Sequence, residues 1–225
     1  MIRSFEELKA AARAKGPKTV AIAAAHEKEI LLAARDAEAE GLAECILVGD
    51  RERIRHIAAH EGIELSKMMI IDESNAHQAA RKVMELVSLG HADLAMKGQI
   101  ETGDFLRVAL DKEIGLRIGR LFTHVAVFEI PGFDRLILVS DAGVVVAPDL
   151  EQKIEIVRNA IEVAHALGVE RPRVAILAAT EMVNPKIPTT MDAANISKMA
   201  ERGQITGGIV DGPLALDNAI SPEAA

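Results

Sequence analysis

The chain has 225 residues, 49% of them hydrophobic but only 2% aromatic, with neither Trp nor Tyr. Its interior is therefore built from Ala, Val, Ile and Leu, and it lacks the aromatic platforms on which single-stranded nucleic acid stacks. Lys and Arg number 26 against 34 Asp and Glu, a net charge of -8, which excludes a general electrostatic pull toward nucleic acid or an anionic membrane and leaves any phosphate-bearing ligand in need of a local basic pocket.

The first stretch, MIRSFEELKAAARAKG, predicts an amphipathic helix; its acidic residues and the lack of an apolar segment argue against a signal peptide. No run approaches the roughly 18 uninterrupted apolar residues of a membrane span. The expected setting is the cytoplasm, with no membrane and no nucleic-acid partner. Short apolar runs then alternate with helical patterns, the rhythm of βα units on a mainly parallel sheet. Strands are predicted at 19–24, 44–48, 68–71 and 93–96, with helices starting near Glu27, Arg51, Ala76 and Gly103 and with Ser74 and Thr102 as N-caps. Cys45 sits in the apolar run AECILVG and reads as an inert core thiol; as the lone cysteine it also excludes an internal disulfide and a cysteine-based zinc site.

The rhythm changes at 124–130 and 135–140. Only PGFD separates these runs, too short for a parallel crossover, so an antiparallel hairpin is predicted. A helix over 150–167, a strand at 173–178, a helix near 193–202 and a strand at 208–210 follow. The expected organisation is an α/β domain over residues 1–147 and a partial α/β domain over 148–225, with no internal repeat or low-complexity tract.

Several familiar sites fail on spacing. His26-Glu27 lacks the second His of HExxH, since Ile30 occupies that position; no P-loop, no GxGxxG after a strand and no GxSxG is present. No metal site is expected. What remains is a set of polar residues at the carboxyl ends of strands, where open α/β sheets bind ligands. Lys97 and Gly98 end the fourth strand, and the following helix offers its first N–H groups near Thr102, with Arg107 about a turn further on. GLRIGR adds Arg117 and Arg120. Ser140 and Asp141 end the hairpin, and Asp211-Gly212-Pro213 ends the last strand, with Asp217 and Asn218 just beyond. Each has a plain structural alternative: a solvated turn for Lys97-Gly98 and Asp211-Gly212-Pro213, an exposed helix position for Arg107, surface pairing with Glu113 and other carboxylates for Arg117 and Arg120, a cap for Ser140-Asp141.

Taken together, the segments DLAMKGQIETGDFLRVAL, GLRIGRLFTHVAVFEIPGFDRLILVSDAGVVVAPDLEQK and PKIPTTMDAANISKMAERGQITGGIVDGPLALDNAIS resemble the phosphate acetyl/butyryltransferase family, and within it the phosphate butyryltransferases. The resemblance covers nearly the whole chain. It implies two α/β domains of mainly parallel sheets, related to the isocitrate and isopropylmalate dehydrogenase fold, with a cleft between them and the second domain incomplete. DFLR resembles the family's Asp-x-Leu-Arg stretch, which implies that Arg107 contacts a phosphate-bearing substrate. SDAG with Pro148 looks like a cleft wall, and DGPLALDNA like the segment that carries Asp211, Asp217 and Asn218 toward the cleft. The family's C-terminal Ser-Arg motif and the acidic residue after it have no match before the chain stops at SPEAA.

The activity so implied is acyl transfer between coenzyme A and phosphate. A thiolate attacks a carbonyl, so the site needs help in deprotonating the thiol, stabilisation of an oxyanion and cationic donors for phosphate. The expected catalytic residues are Arg107 and Asp217; the expected substrate contacts are Lys97, Gly98, Thr102, Arg117, Arg120, Ser140, Asp141, Asp211 and Asn218. Acyl-CoA, phosphate and acyl phosphate are the partners, coenzyme A being a substrate and no cofactor being tightly held. An incomplete second sheet would expose a strand edge, so a homo-oligomer is expected. The competing reading is a truncated, catalytically impaired family member that binds coenzyme A, acyl phosphate or a partner chain.

Overall fold

Side chains that alternate between two covered faces of two strands organise the first half of the chain. β1 (Lys18–Ala23) sends Ala21 and Ala23 to one face and Ile22 to the other; β2 (Ala43–Gly49) sends Ile46 and Val48 to the first face and Cys45 and Leu47 to the second. Both faces are covered, which is why these strands read as nearly continuous apolar runs. After α1 (Phe5–Ala14), which opens the chain, α2 (Lys28–Ala39) and α3 (Arg51–Glu61) close one face of the sheet through Leu31, Ala34, Ile54 and Ala58. α4 (Ala76–Ser88) closes the other through Ala79, Ala80 and Val83. Each fully buried Leu or Ile contributes about 1.5–3 kcal/mol, so these two layers hold the sheet.

β3 (Met69–Asp72) and β4 (Leu94–Lys97) complete a parallel four-stranded sheet in the order β3-β2-β1-β4. The chain steps outward from β1 through β2 to β3, then returns to the far side of β1. The order therefore reverses between β1 and β4, the kind of point at which open α/β sheets bind ligands beyond their carboxyl ends. α5 (Thr102–Ala109) follows β4 directly and packs Phe105 and Val108 against the α4 face.

The structure, a computed structural model, describes residues 1–221. It divides into two compact units, one formed by Lys9–Gly119 and the other by Met1–Leu8 together with the chain from Arg120 onward. In the second unit β5 (Ala126–Phe128) and β6 (Ile137–Val139) form the antiparallel hairpin expected around PGFD, and β7 (Arg173–Leu177) pairs in parallel with β8 (Ile209–Leu214). α6 (Leu150–Ala166) and α7 (Pro188–Glu201) bury Ile154, Val157, Ile161 and Ile196 with Val210 of β8. A short α8 (Leu216–Ile220) follows β8. Among the described residues no helix is long and apolar enough to cross a membrane.

Four local details differ from expectation. The units part at Gly119 and Arg120 rather than near residue 147. The reason is local bonding: Asn159 of α6 donates to Leu121 O at 3.1 Å and to Thr123 Oγ1 at 2.9 Å, which ties the stretch before the hairpin to the unit of α6. The opening residues join that unit too, since Ile2 N–H donates to Leu167 O at 2.9 Å and Phe5 N–H to Glu129 Oε2 at 2.6 Å. Asn75, not Ser74, caps α4, its side chain accepting from Gln78 N–H at 3.0 Å, and Thr102 lies inside α5 behind Glu101. α7 starts at Pro188, whose fixed φ suits the first helical position, rather than near Ala193. Finally, Asp211, Gly212 and Pro213 are not a turn: β8 runs through them to Leu214.

Candidate functional site

At the sheet's reversal point the backbone is closely packed. Gly98 N–H donates to Ala23 O at 2.7 Å and Gln99 N–H to Ala24 O at 3.0 Å, joining the end of β4 to the end of β1. Ala24 has a positive φ of 51°, unusual for a residue with a side chain. His26, 6% exposed, follows immediately, and its Nδ1 accepts Asp50 N–H at 3.3 Å. Lys97 Nζ donates to Ile100 O at 3.3 Å, folding back on its own loop.

The two helices on one face of this sheet bring charged side chains together. A cleft of about 250 Å³ is lined by His77, Gln78, Arg81, Arg107, Val108 and Asp111. His77 and Arg81 stand at i and i+4 on α4, Asp104 and Arg107 at i and i+3 on α5, spacings that put each pair on one helix face. Asp104 joins the helices: its Oδ1 accepts from Arg107 Nη1 at 2.5 Å and its Oδ2 lies 3.3 Å from His77 Nε2. The hydrogen bond from Arg107 holds the Asp104 carboxyl below the usual carboxylate range; burial opposes this, and the nearby His77 adds to it. Among the described residues Arg81 has only looser partners, Glu85 at 3.5 Å and Glu113 at 4.0 Å. Asp111 accepts Glu113 N–H at 2.8 Å and Ile114 N–H at 3.2 Å, and these bonds depress its carboxyl too.

Arg107 is well exposed, with 72% of its side chain accessible, and among the described residues its hydrogen bonding goes to Asp104. A guanidinium carries five donors, so most of this fork is available to a ligand. Of the other residues expected in this unit, Gly98 and Lys97 belong to the β4 end, Thr102 opens α5, and Arg117 is exposed. None of these four lines the cleft around Arg107. His77, Arg81, Asp104 and Asp111 were not singled out from the sequence. The helical spacings were visible there, but nothing showed that α4 and α5 lie side by side.

In the other unit, the expected residues are largely occupied by their own surroundings. Arg120 donates to Glu162 Oε1 at 2.8 Å and Asn159 Oδ1 at 2.6 Å and approaches Glu155 Oε2 at 3.7 Å, so its fork is committed to α6. Ser140 Oγ donates to His124 O at 2.7 Å. Asp141 accepts N–H groups from Gly143 and Val144 at 3.0 Å and His124 at 3.2 Å. Burial raises its pKa, but these backbone bonds outweigh it and the net direction is downward. Asp211 accepts from Gly212 N–H at 2.8 Å and Ser197 Oγ at 3.3 Å. Asp217, exposed in the first turn of α8, accepts Asn218 N–H at 3.0 Å. Among the described residues no group of three or more His, Cys, Asp or Glu is placed to hold a metal ion.

Comparison with known proteins gives the chain a family. The sequence matches the family described as phosphate acetyl/butaryl transferase over residues 4–85 and 76–225. It is 50% identical over 225 residues to the phosphate butyryltransferase of Clostridium acetobutylicum, covering 100% of this chain and 75% of that protein. It is 44% identical over 221 residues to the phosphate acetyltransferase of Thermotoga maritima, covering 98% of this chain and 74% of that protein. The crystal structure of a branched-chain phosphotransacylase from Enterococcus faecalis V583 matches with a TM-score of 0.80 at 32% identity, over 92% of this chain and 72% of that one. The chain belongs to the phosphate acetyl/butaryl transferase family and is, by that resemblance, an acyltransferase.

Proposed function

We propose that this protein moves a butyryl or other short acyl group between coenzyme A and phosphate. The observation that carries the reading is the 50% identity, across the whole chain, to a phosphate butyryltransferase. In the direction of acyl-CoA formation, the coenzyme A thiolate attacks the carbonyl of an acyl phosphate, a C–S bond forms, the C–O bond to phosphate breaks, and phosphate leaves. The thiol proton passes to a base, for which Asp217 is the candidate. Arg107 holds a phosphate group, since its planar fork pairs two oxygens at once. Arg81, in the same cleft and loosely paired, is a second cation for that anion. Lys97, Gly98, Thr102, Arg117, Ser140, Asp141, Asp211 and Asn218 remain candidate substrate contacts. Arg120 has less support, because α6 occupies its donors.

Thiol release from butyryl-CoA in the presence of phosphate tests the reaction, with acetyl-CoA and longer acyl-CoAs as comparators. Release fastest with butyryl-CoA is expected; release confined to acetyl-CoA would move the assignment to acetyl transfer. For the site, Arg107→Ala weakens coenzyme A or acyl-phosphate binding by roughly 1.5 to 3 kcal/mol in isothermal titration. Unchanged affinity returns Arg107 to an ordinary surface position. The protein is further read as a homo-oligomer, because among the described residues β7 and β8 pair only with each other and so leave strand edges open. A monodisperse monomer in light scattering overturns that part.

A further inference from the structure

We propose that Asp104 and His77 are positioning residues for Arg107: together they set how readily its guanidinium is released to an anionic ligand, and they release it more readily when His77 carries a proton. This rests on the reading of Arg107 as a phosphate-binding residue and adds a pH control to it.

Asp104 stands at the junction of two helices and divides its oxygens between them. Oδ1 holds Arg107 Nη1 at 2.5 Å within α5, and Oδ2 meets His77 Nε2 at 3.3 Å across from α4. A phosphate that takes the Arg107 fork in two-point fashion competes with that carboxylate. While His77 is neutral, releasing Arg107 leaves Asp104 without a cation. Once His77 is an imidazolium, the carboxylate keeps a positive partner and Arg107 can turn to the ligand. The same proton adds a positive charge to the wall of the cleft, which favours an anion again.

Other charged groups stand at the cleft or pair with its arginine. From α4 come Arg81 and its partner Glu85, from α5 Arg107, and from the segment after α5 Asp111 and Glu113. Arginine stays protonated, and Asp104 and Asp111 are both held below the usual carboxylate range, so they stay ionised near neutrality. Histidine is the side chain whose charge changes between about pH 5 and 8. The cross-helix contact from His77 to Asp104 therefore makes the competition for Arg107 sensitive to pH.

The test is coenzyme A binding by isothermal titration from about pH 5.5 to about pH 8.5. Wild type is compared with His77→Gln, Asp104→Asn and Arg107→Ala, each verified as folded by circular dichroism. The ligand's own phosphate titration enters every series alike, so differences between proteins read the residues. Wild type should gain about two- to fivefold in affinity over His77→Gln on acidification, the size expected of a solvent-facing ion pair. Asp104→Asn should bind more tightly than wild type at the alkaline end and show a flatter profile. A His77→Gln profile parallel to wild type overturns the positioning role and leaves the phosphate-binding role of Arg107 standing. Arg107→Ala binding coenzyme A as wild type does, or wild type not binding it, overturns the functional reading and this inference with it.

Discussion

A Cβ placed on Gly98 would lie 2.5 Å from the carbonyl oxygen of Ala24 and 2.7 Å from that of Ala23. The obstruction is backbone, not the end of a flexible side chain, and it sits where β4 hydrogen-bonds across to the end of β1. Gly98→Ala must push these segments apart, with an overpacking cost of about 1–3 kcal/mol. Urea denaturation should show a lowered midpoint at an unchanged slope. A midpoint equal to wild type would mean that the β1 and β4 ends separate freely.

Arg107 and Arg120 should behave as opposites. Arg107 is tied to one carboxylate and otherwise open, whereas Arg120 is bound by Glu162 and Asn159 and lies near Glu155. Arg120→Ala is expected to lower the thermal midpoint while leaving coenzyme A affinity near wild type, and Arg107→Ala to do the reverse. Running both variants through the same calorimetric titration and melting experiment decides this; loss of affinity in Arg120→Ala would return it to the substrate site.

His26 predicts a loss of stability in acid. Burial, and then the positive charge of Arg53, lower its pKa below the ordinary 6.5, against the opposing carboxylates of Asp50 and Glu27. The folded protein thus takes up this proton less readily than the unfolded chain. The resulting stability is fully present above pH 6.5 and is lost as pH falls through that value toward the folded pKa. The denaturation midpoint should drop between about pH 7 and about pH 5, and His26→Asn, which keeps an acceptor for Asp50 N–H, should flatten the drop. An equally steep fall in the variant would assign the effect to other groups.

Cys45 is 4% exposed, and burial, followed by the charge of Glu38, pushes its thiol up to about 11. Thiolate is the reactive form, so a disulfide reagent at neutral pH should label the native protein only as fast as it opens. Labelling should become rapid in denaturant. Stoichiometric labelling of the native state within seconds would contradict this packing.

How far the sequence carries depends on how local the signal is. The short apolar runs of β1 and β2, the helical pattern of α2 to α4 and the PGFD turn are each decided within a dozen residues, and all appear where expected. Arg107 was singled out through the DFLR segment, by resemblance. Its neighbours were not: the sequence separates His77 from Asp104 by a strand, a loop and most of a helix, and no periodicity reports that Oδ2 and Nε2 end 3.3 Å apart.

What the sequence determined by itself was the order of βα units and the family to which the chain belongs, because both are written in long runs of local pattern. The tertiary structure decided the rest. It placed α4 beside α5 on one face of the sheet, so that His77, Arg81 and Arg107 share one cleft. It bound Arg120 to α6, where spacing alone had left it free for phosphate. It drew Asp211 to Pro213 into β8, although Gly-Pro chemistry favours a turn, because Ala175 and Leu177 of β7 offered partners to Asp211 and Leu214 on either side. Which side chains meet depends on the packing and register of elements distant in sequence, and that is fixed only when their apolar faces close on one another.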